Sequence, residues 1–167
     1  MENARIRWAC PEDAEDIVRL VQALAAFENE PLSSVKLSVD RVLQDGFGSD
    51  RRFECLIAEM NGEVVGLALF YHNYSTWEGR PGLFVEDLFV EDSVRGLGLG
   101  KGLMAALARV AFERQCTRME LSVLHWNPAR EFYHSLSMTH VDEWFPYRMT
   151  ETDIKSLANT AAKIEKP

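Results

Sequence analysis

The stretch that most restricts the fold is VRGLGLGKGLM, residues 94–104, in which four glycines occupy alternate positions. An apolar run, GLFVEDLFV, lies shortly before it, helix-forming residues at about 100–115 follow, and the next β-rich run is RMELSVL. A strand, a loop, a helix and a second strand in this order predict a parallel crossover. Because glycines and a helix N-terminus present free N–H groups, the loop indicates a phosphate site.

Two common phosphate-binding loops do not fit this stretch. A Walker A loop needs glycine five positions before its Gly-Lys pair and Ser or Thr after it, but these places hold Arg95 and Gly102. In a dinucleotide-binding G-x-G-x-x-G loop the third glycine would fall on Lys101 or Leu103. The pattern that remains is Arg-x-x-Gly-x-Gly, which begins at Arg95.

Two β-rich runs upstream, FECLIAEM and EVVGLALFYH, are separated only by Asn61 and Gly62. Asn-Gly between such runs is a strong signal for a two-residue hairpin turn, because both residues tolerate positive φ. Antiparallel strands therefore precede the parallel crossover. The sheet is predicted to be mixed.

The two ends of the chain add further elements. Residues 5–8 alternate as a short strand, Pro11 opens a helix, and a second helix is predicted over residues 38–46 with Ser38 as its N-cap. Near the other end, Asn127 is expected to cap a helix with Pro128 at its first position. EWFPYRM is then predicted to complete the sheet, and TETDIKSLANTAAKI to form a polar C-terminal helix.

Composition limits the possible classes of protein. The chain has 167 residues, of which 47% are hydrophobic, enough for one domain spanning residues 1–167. Its net charge of −8 and lack of a basic cluster are not typical of nucleic-acid binding. Cys10, Cys55 and Cys116 are odd in number and far apart, so they form no disulfide framework. No signal peptide or membrane span is recognisable, and we expect a cytoplasmic protein.

Taken together, these motifs resemble the GNAT superfamily of acetyl-CoA-dependent N-acetyltransferases, whose pyrophosphate loop has the Arg-x-x-Gly-x-Gly pattern. YSTWEGR, VEDLFV, RGLGLG and LHWNPAREFY are similar more narrowly to the spermidine/spermine (diamine) N-acetyltransferase family and its thialysine-acetylating relatives. The resemblance implies an α/β GNAT fold with a mixed, mostly antiparallel sheet of six to seven strands and helices on both faces. It also implies acetyl-CoA as co-substrate, a small-molecule amine as partner, and a homodimer.

The same resemblance assigns a set of residues to acetyl-CoA. Backbone groups of the strand after the acidic pair are expected to bind the pantetheine arm, and the glycine loop the pyrophosphate. The residues are Leu88, Phe89, Val90, Arg95, Gly96, Leu97, Gly98, Leu99, Gly100, Lys101, Asn127 and Tyr133.

Glu86 and Asp87 interrupt an otherwise apolar strand and are candidates for acid–base chemistry. Neighbours in a strand point to opposite faces unless a bulge intervenes, so at least one carboxylate lies near the core, where desolvation raises its pKa. The family resemblance implies that Glu86 accepts the amine proton through water and that Tyr133 protonates the departing thiolate. From the residues alone, a helical Tyr133 beside Phe132 is more typical of a core aromatic than of a catalytic acid, and the family resemblance reverses that preference. No metal-ligand spacing is present in the sequence.

The resemblance also implies which residues contact the amine: Glu28, Ser75, Trp77, Glu86, Asp87, Glu143 and Trp144. The resemblance implies that the polyamine-acetylating branch has an aspartate at the position corresponding to Ser75. The absence of that negative charge here favours thialysine or a lysine-like amino acid over a polyamine as substrate. We therefore expect Ser75→Asp to shift the preference towards polyamines by about tenfold.

Two other functions compete with this one. A non-catalytic acyl-CoA-binding or sensing module needs the glycine loop but neither Glu86 nor Tyr133, so the presence of both favours an enzyme. A protein N-acetyltransferase needs a peptide groove, which sequence does not reveal.

Overall fold

The first unit of the chain, which ends at Asn127, is built on one five-stranded sheet. The structure is a computed structural model that describes residues 4–162. Its strands are β1 (Ala4–Trp8), β2 (Glu54–Met60), β3 (Glu63–Ser75), β4 (Arg80–Val90) and β5 (Met119–Leu121), and its helices are α1 (Ala14–Phe27), α2 (Val39–Phe47) and α3 (Leu99–Glu113). The second unit begins at Pro128 and contains α4 (Ala129–Ser135) and α5 (Glu151–Ala158).

The strands lie in sequence order, β1 to β5. Strands β1 to β4 are antiparallel to their neighbours, and β5 is parallel to β4, so the predicted crossover through α3 is confirmed. The predicted hairpin turn is also confirmed, because Asn61 and Gly62 join β2 to β3 with φ of 53° and 90°. Such positive values give the turn the twist that the two strands need.

Helices cover both faces of the sheet. Strand residues one position apart point to opposite faces, and Ile57, Leu67 and Phe89, which lie side by side across β2, β3 and β4, pack against α1 and α2. On the opposite face, Gly102 of α3 approaches Ile6 of β1. The predicted helix at residues 38–46 is present as α2, where Ser38 accepts a hydrogen bond from the Arg41 N–H.

Three predictions differ from the structure. Within residues 4–162 the sheet has five strands, not six or seven. EWFPYRM, residues 143–149, was expected to complete the sheet but forms no strand and is exposed, so apolar residue types alone were misleading there. Helix α4 begins at Ala129 with Pro128 as its N-cap, one position later than predicted.

The second unit ends in the predicted polar helix, α5, whose Thr150 N-cap accepts a hydrogen bond from the Asp153 N–H. The predicted continuation past residue 162 lies outside the described residues. No helix in the described range is both long enough and apolar enough to cross a bilayer.

Candidate active site

A β-bulge in β4 separates the two neighbouring carboxylates. Leu69 of β3 pairs with Asp87 and Phe70 pairs with Val85, which leaves Glu86 without a partner. Asp87 therefore lies in line with Leu69 and Cys55, on the face covered by α1 and α2, and is half-buried. Glu86 is exposed. The expectation that one of the two carboxylates lies near the core is met by Asp87.

Burial and negative charge together change the acidity of Asp87. Burial is the main cause that raises its pKa to about 6, and the charges of Glu86 and Glu28 add to it. Glu28 is the C-cap of α1, and burial, together with the nearby Glu30, raises its own pKa. Because desolvation and like charge disfavour its ionised form, Asp87 keeps a proton to higher pH than an ordinary aspartate, and the negative charge of the cluster attracts a cation.

Tyr71 was not predicted from the sequence but belongs to this region. Its ring packs against Phe84 at a centroid distance of 5.3 Å. Burial, with the charge of Glu86 as a second cause, raises the pKa of the Tyr71 phenol. The signal available in the sequence was its position two residues after Leu69 on the same face of β3.

Beyond the bulge, β4 has a free edge. Its pairing with β5 is confined to Leu83, Phe84 and Val85. From Asp87 to Val90, β4 pairs within the described residues only with β3. The backbone of Leu88, Phe89 and Val90 is thus available to an extended, amide-containing ligand that adds like a strand.

The glycine loop follows β4 at this same end. Gly96 and Gly98 have φ of 81° and 85°, and Gly98 is the N-cap of α3 without any side-chain cap. The N–H groups of Leu99, Gly100 and Lys101 have no acceptor within the helix. A Cβ added at Gly96 or Gly98 would meet nothing within 4 Å. The open, N–H-rich loop fits a pyrophosphate, and exposed Lys101 adds positive charge.

The side chain of Arg95 is exposed but contacts several groups of the protein itself. Its Nε donates to the Val90 carbonyl oxygen at 3.0 Å, and its Nη2 pairs with Asp92 at 2.8 Å. The guanidinium carbon lies 4.6 Å from the centre of the Phe27 ring and 5.4 Å from that of Phe89. The arginine of the motif therefore connects the loop to β4 and α1.

Ser75 and Trp77 lie at the far end of the β3–β4 hairpin. Ser75 is 7% exposed, and its hydroxyl accepts a hydrogen bond from the Glu78 N–H, while Trp77 is 89% exposed at the tip. Six positions separate Leu69, opposite Asp87, from Ser75, a distance of roughly 20 Å along the strand. The structure brings Glu28, Glu86 and Asp87 together, and it leaves Ser75 and Trp77 apart from them.

Comparison with known proteins identifies the family. The model of the acetyltransferase (GNAT) family matches residues 18–138, most of the chain. The chain belongs to the GNAT acetyltransferase family. It is an N-acetyltransferase, its predicted fold class is confirmed, and GNAT acetyltransferases use acetyl-CoA.

The GNAT enzyme has relatives with assigned substrates. It is 36% identical to mouse thialysine N-epsilon-acetyltransferase over 171 residues, covering 95% of this chain and 99% of the relative. It is 33% identical to human spermidine/spermine N(1)-acetyltransferase-like protein 1, covering 95% of this chain but only 24% of the relative. An integron cassette protein from the mobile metagenome of V. cholerae shares its fold, with a TM-score of 0.78, 23% identity, and coverage of 94% and 98%.

Four predicted site residues of the GNAT enzyme lie at Asn127 or beyond. Asn127 ends the first unit and is 7% exposed. In the second unit, Tyr133 is half-buried on α4 and packs on Phe132 with ring centroids 5.3 Å apart. Glu143 and Trp144 are exposed in the irregular segment before α5. The roles of these four residues stay predictions.

The thiols of the GNAT enzyme are unsuited to carrying an acyl group. Cys55 is 5% exposed, and burial raises its pKa, with Asp13 and Asp87 adding to the effect. Burial also raises the pKa of Cys116. Because the thiolate is the nucleophile, these thiols are poorly reactive at neutral pH. Across residues 4–162, no three His, Cys, Asp or Glu side chains cluster as metal ligands.

Proposed function

We propose that this enzyme transfers the acetyl group of acetyl-CoA to a primary amine of a small cationic metabolite, by direct attack in a ternary complex. The observation that carries the proposal is the carboxylate cluster of Glu28, Glu86 and Asp87, in which the pKa of Asp87 is about 6. Glu86 and Asp87 lie on β4, the strand that also carries the free edge and leads into the glycine loop, and Glu28 reaches them from the end of α1.

The cluster has two tasks, to attract an ammonium ion and to remove its proton. An alkyl amine has a pKa of ~10.4, so at neutral pH it is almost wholly protonated and cannot attack a thioester. A carboxylate with a raised pKa accepts that proton more readily than an ordinary one. We propose that Asp87, whose pKa is about 6, accepts the proton, and that the exposed Glu86 reaches the amine through water.

Acetyl-CoA supplies the thioester, and backbone groups of β4 and the glycine loop would bind and orient it. Leu88, Phe89 and Val90 offer backbone N–H and C=O groups along the free edge of β4 to the pantetheine amides. The N–H groups of Gly96 and Gly98 and of the first turn of α3 are available to the pyrophosphate. Glu86 and Asp87 directly precede Leu88 on β4, so the amine and the thioester would bind at neighbouring positions of one strand.

In the chemical step, the neutral amine nitrogen attacks the thioester carbon, the C–S bond breaks, and the thiolate takes a proton from Tyr133. The proton that the nitrogen loses as the amide forms restores the phenol through solvent. With a phenol pKa of ~10 and a thiol pKa of ~8.5, this donation is uphill by about 2 kcal/mol, which a concerted collapse tolerates. Tyr133→Phe is expected to retain acetyl-CoA binding while kcat falls roughly 10²- to 10⁴-fold. Tyr147→Phe, 96% exposed in the same unit, is the matched control. An unchanged kcat for Tyr133→Phe would return this residue to a packing role.

The amine we favour is thialysine or a close lysine analogue. The mouse relative, which this chain matches over 99% of its length, is named for acetylating thialysine. Ser75 lies roughly 20 Å along β3 from the level of Asp87, so the choice of amine rests on this relative and not on the missing charge at that position.

An amine panel that follows free thiol release from acetyl-CoA tests the proposal against its rivals. Thialysine and lysine are compared with spermidine, spermine and peptides carrying a free N-terminus, and we expect the highest kcat/KM for thialysine. If the kcat/KM for spermidine is higher than that for thialysine by tenfold or more, the proposed amine is wrong but the acetyltransferase activity stands. Binding of coenzyme A with no thiol release for any amine would support a sensing module. Peptides with the highest kcat/KM would support a protein N-acetyltransferase.

The homodimer implied by the resemblance and the cytoplasmic location expected from the sequence also belong to the proposal. Sedimentation at micromolar concentration distinguishes a dimer of two 167-residue chains from a monomer. Fractionation of expressing cells tests the location.

A further inference from the structure

Arg95 lies where the loop, the end of β4 and the end of α1 meet. It follows a short 3-10 turn at Asp92–Val94 and directly precedes Gly96. Its contacts with the Val90 carbonyl oxygen, Asp92 and the Phe27 ring all lie within the first unit. A guanidinium 4.6 Å above a ring centre is within the range of a favourable cation–π contact.

Two of the contacts of Arg95, those with the Phe27 and Phe89 rings, lie close in sequence to a carboxylate of the cluster. Phe27 is the last residue of α1 and immediately precedes Glu28. Phe89, the second ring beside Arg95, is buried on the same face as Asp87, two positions further along β4. The position of Glu28 relative to Asp87 therefore depends on how the end of α1 is held against β4.

The rest of α1 is held independently of Arg95. Arg19 pairs with Glu91 and donates to the Val64 carbonyl oxygen at 2.7 Å, and Ile17 and Leu20 are fully buried. Leu24 and Phe27 also pack against the core, so loss of Arg95 would loosen only the last turn of the helix and leave the fold intact.

We infer that Arg95 is a positioning residue that couples the acyl-CoA loop to the amine site by holding Phe27, and with it Glu28, against β4. The inference rests on the proposed function for the meaning of the amine site. A ligand that orders the loop also orders the end of α1, and by linkage an amine bound at the carboxylates favours the loop conformation that binds acyl-CoA.

Three variants test the coupling in the full chain. Arg95→Met keeps an unbranched stem and removes the guanidinium, Arg95→Lys keeps the cation, and Phe27→Leu removes the ring without touching the loop. Arg109→Met is the matched control, because Arg109 is an exposed arginine on α3 that pairs with Glu113. We expect Arg95→Met and Phe27→Leu each to raise the KM for thialysine roughly three- to tenfold, the double variant to be no worse, and Arg95→Lys to recover part of the loss.

The pH profile adds a readout that a purely structural role would not change. The titratable groups that interact with Asp87 are Glu86 on its own strand, Glu28 from α1 and Cys55 from β2. If the end of α1 moves away, the charge of Glu28 raises the pKa of Asp87 less, so the acid limb of kcat/KM shifts to lower pH. Arg109→Met should leave it in place.

Hydrogen exchange tests the same coupling without turnover. In the wild type, coenzyme A should slow exchange at residues 96–101 and also at residues 24–30, whereas in Arg95→Met it should slow exchange only at residues 96–101. The inference is overturned if Arg95→Met changes only the KM for acetyl-CoA, Phe27→Leu has no effect, and protection at residues 24–30 is equal in both proteins. Loss of all amine acetylation by the wild type with this exchange pattern intact would instead overturn the proposed function alone.

Discussion

The β3–β4 hairpin has two halves of different character on either side of the bulge at Glu86. In the inner half, Leu67, Leu69 and Phe89 are buried beneath α1 and α2, and Asp87 is held among them with a pKa of about 6. In the outer half, Tyr74 and Trp77 are exposed, and Ser75 is used to cap the turn. Both halves carry residues that resemble a family motif. Only the inner half places titratable groups together in a low-dielectric setting, which is what acid–base chemistry requires.

The largest expected effect concerns acetyl-CoA binding at the glycine loop, which follows the inner half of the hairpin, compared with the tip of the outer half. Gly98 at the loop and Gly79 at the hairpin tip have φ of 85° and 63°, and a Cβ at either meets nothing within 4 Å. An aspartate at either site therefore carries a similar backbone cost, but only Gly98→Asp adds a negative charge to the pyrophosphate site. We expect Gly98→Asp to abolish the stabilisation of about 2.7 kcal/mol given by ligand at 100 times its dissociation constant, and Gly79→Asp to keep it. Thermal shifts with acetyl-CoA measure both, and an equal shift in the two folded variants would contradict the loop assignment.

Catalysis should be lost next most strongly at Asp87. Asp87→Asn removes the carboxylate with the raised pKa, so kcat/KM for the amine at pH 7 is expected to fall roughly 10²- to 10³-fold. The wild-type acid limb near pH 6 should disappear in this variant. Glu86→Gln is expected to shift the pH dependence with a smaller loss, because solvent can partly replace a base that acts through water.

The outer-half control for these kinetics is Trp77→Ala, which should stay within about twofold of wild type because the side chain is exposed at the tip. A larger loss for Glu86→Gln than for Asp87→Asn would assign the proton to Glu86. If Trp77→Ala lowered kcat/KM as much as Asp87→Asn, the claim that only the inner half takes part in catalysis would be wrong.

Stability should also depend on pH through Asp87. Its folded-state pKa of about 6 lies above the ordinary value of ~3.9, so its protonated form favours folding at low pH and this contribution is lost as the pH rises through 6. Asp87→Asn carries no such dependence. Relative to wild type it should gain roughly 1–3 kcal/mol in free energy of unfolding between pH 4 and pH 7.5. Urea denaturation at both pH values measures this, with exposed Asp50→Asn as the control; a gain equal at both values would rule out this titration.

The smallest effect is expected at Ser75. Because Ser75 lies roughly 20 Å along β3 from the level of Asp87, Ser75→Asp should change the thialysine-to-spermidine ratio of kcat/KM less than about threefold. The aspartate can still accept the Glu78 N–H in the turn. The tenfold change expected from sequence would mean that the outer half does contact a bound amine.

Local chemistry allowed much of the fold to be predicted. Asn61-Gly62 specifies its turn through positive φ, Ser38 caps α2 through a short-range hydrogen bond, and the glycine loop requires a strand before it and a helix after it. These features depend on residues within a few positions of one another. Strand pairing near the end of the chain depends on distant partners, which explains why residues 143–149 were misassigned.

The candidate site was predicted in residues but not in arrangement. The pair Glu86–Asp87 was recognised, yet a bulge cannot be recognised from an apolar run, so which carboxylate is half-buried was open. Arg95 was recognised from the glycine motif as a ligand for pyrophosphate, but its contact with Phe27 joins positions 68 residues apart, since 95 − 27 = 68. Such long-range contacts leave no periodic signal in the sequence.

The buried thiol of Cys55 can be used to measure how often the sheet and its covering helices separate. Its thiol lies in register with Leu69 and Asp87, is 5% exposed, and is kept protonated by its surroundings. A thiol reagent can label Cys55 only when β2 and β3 separate from the helices above them. The rate of its alkylation, with Cys10 and Cys116 replaced by serine, would therefore report how often the inner half opens, and how far acetyl-CoA or an amine suppresses that opening.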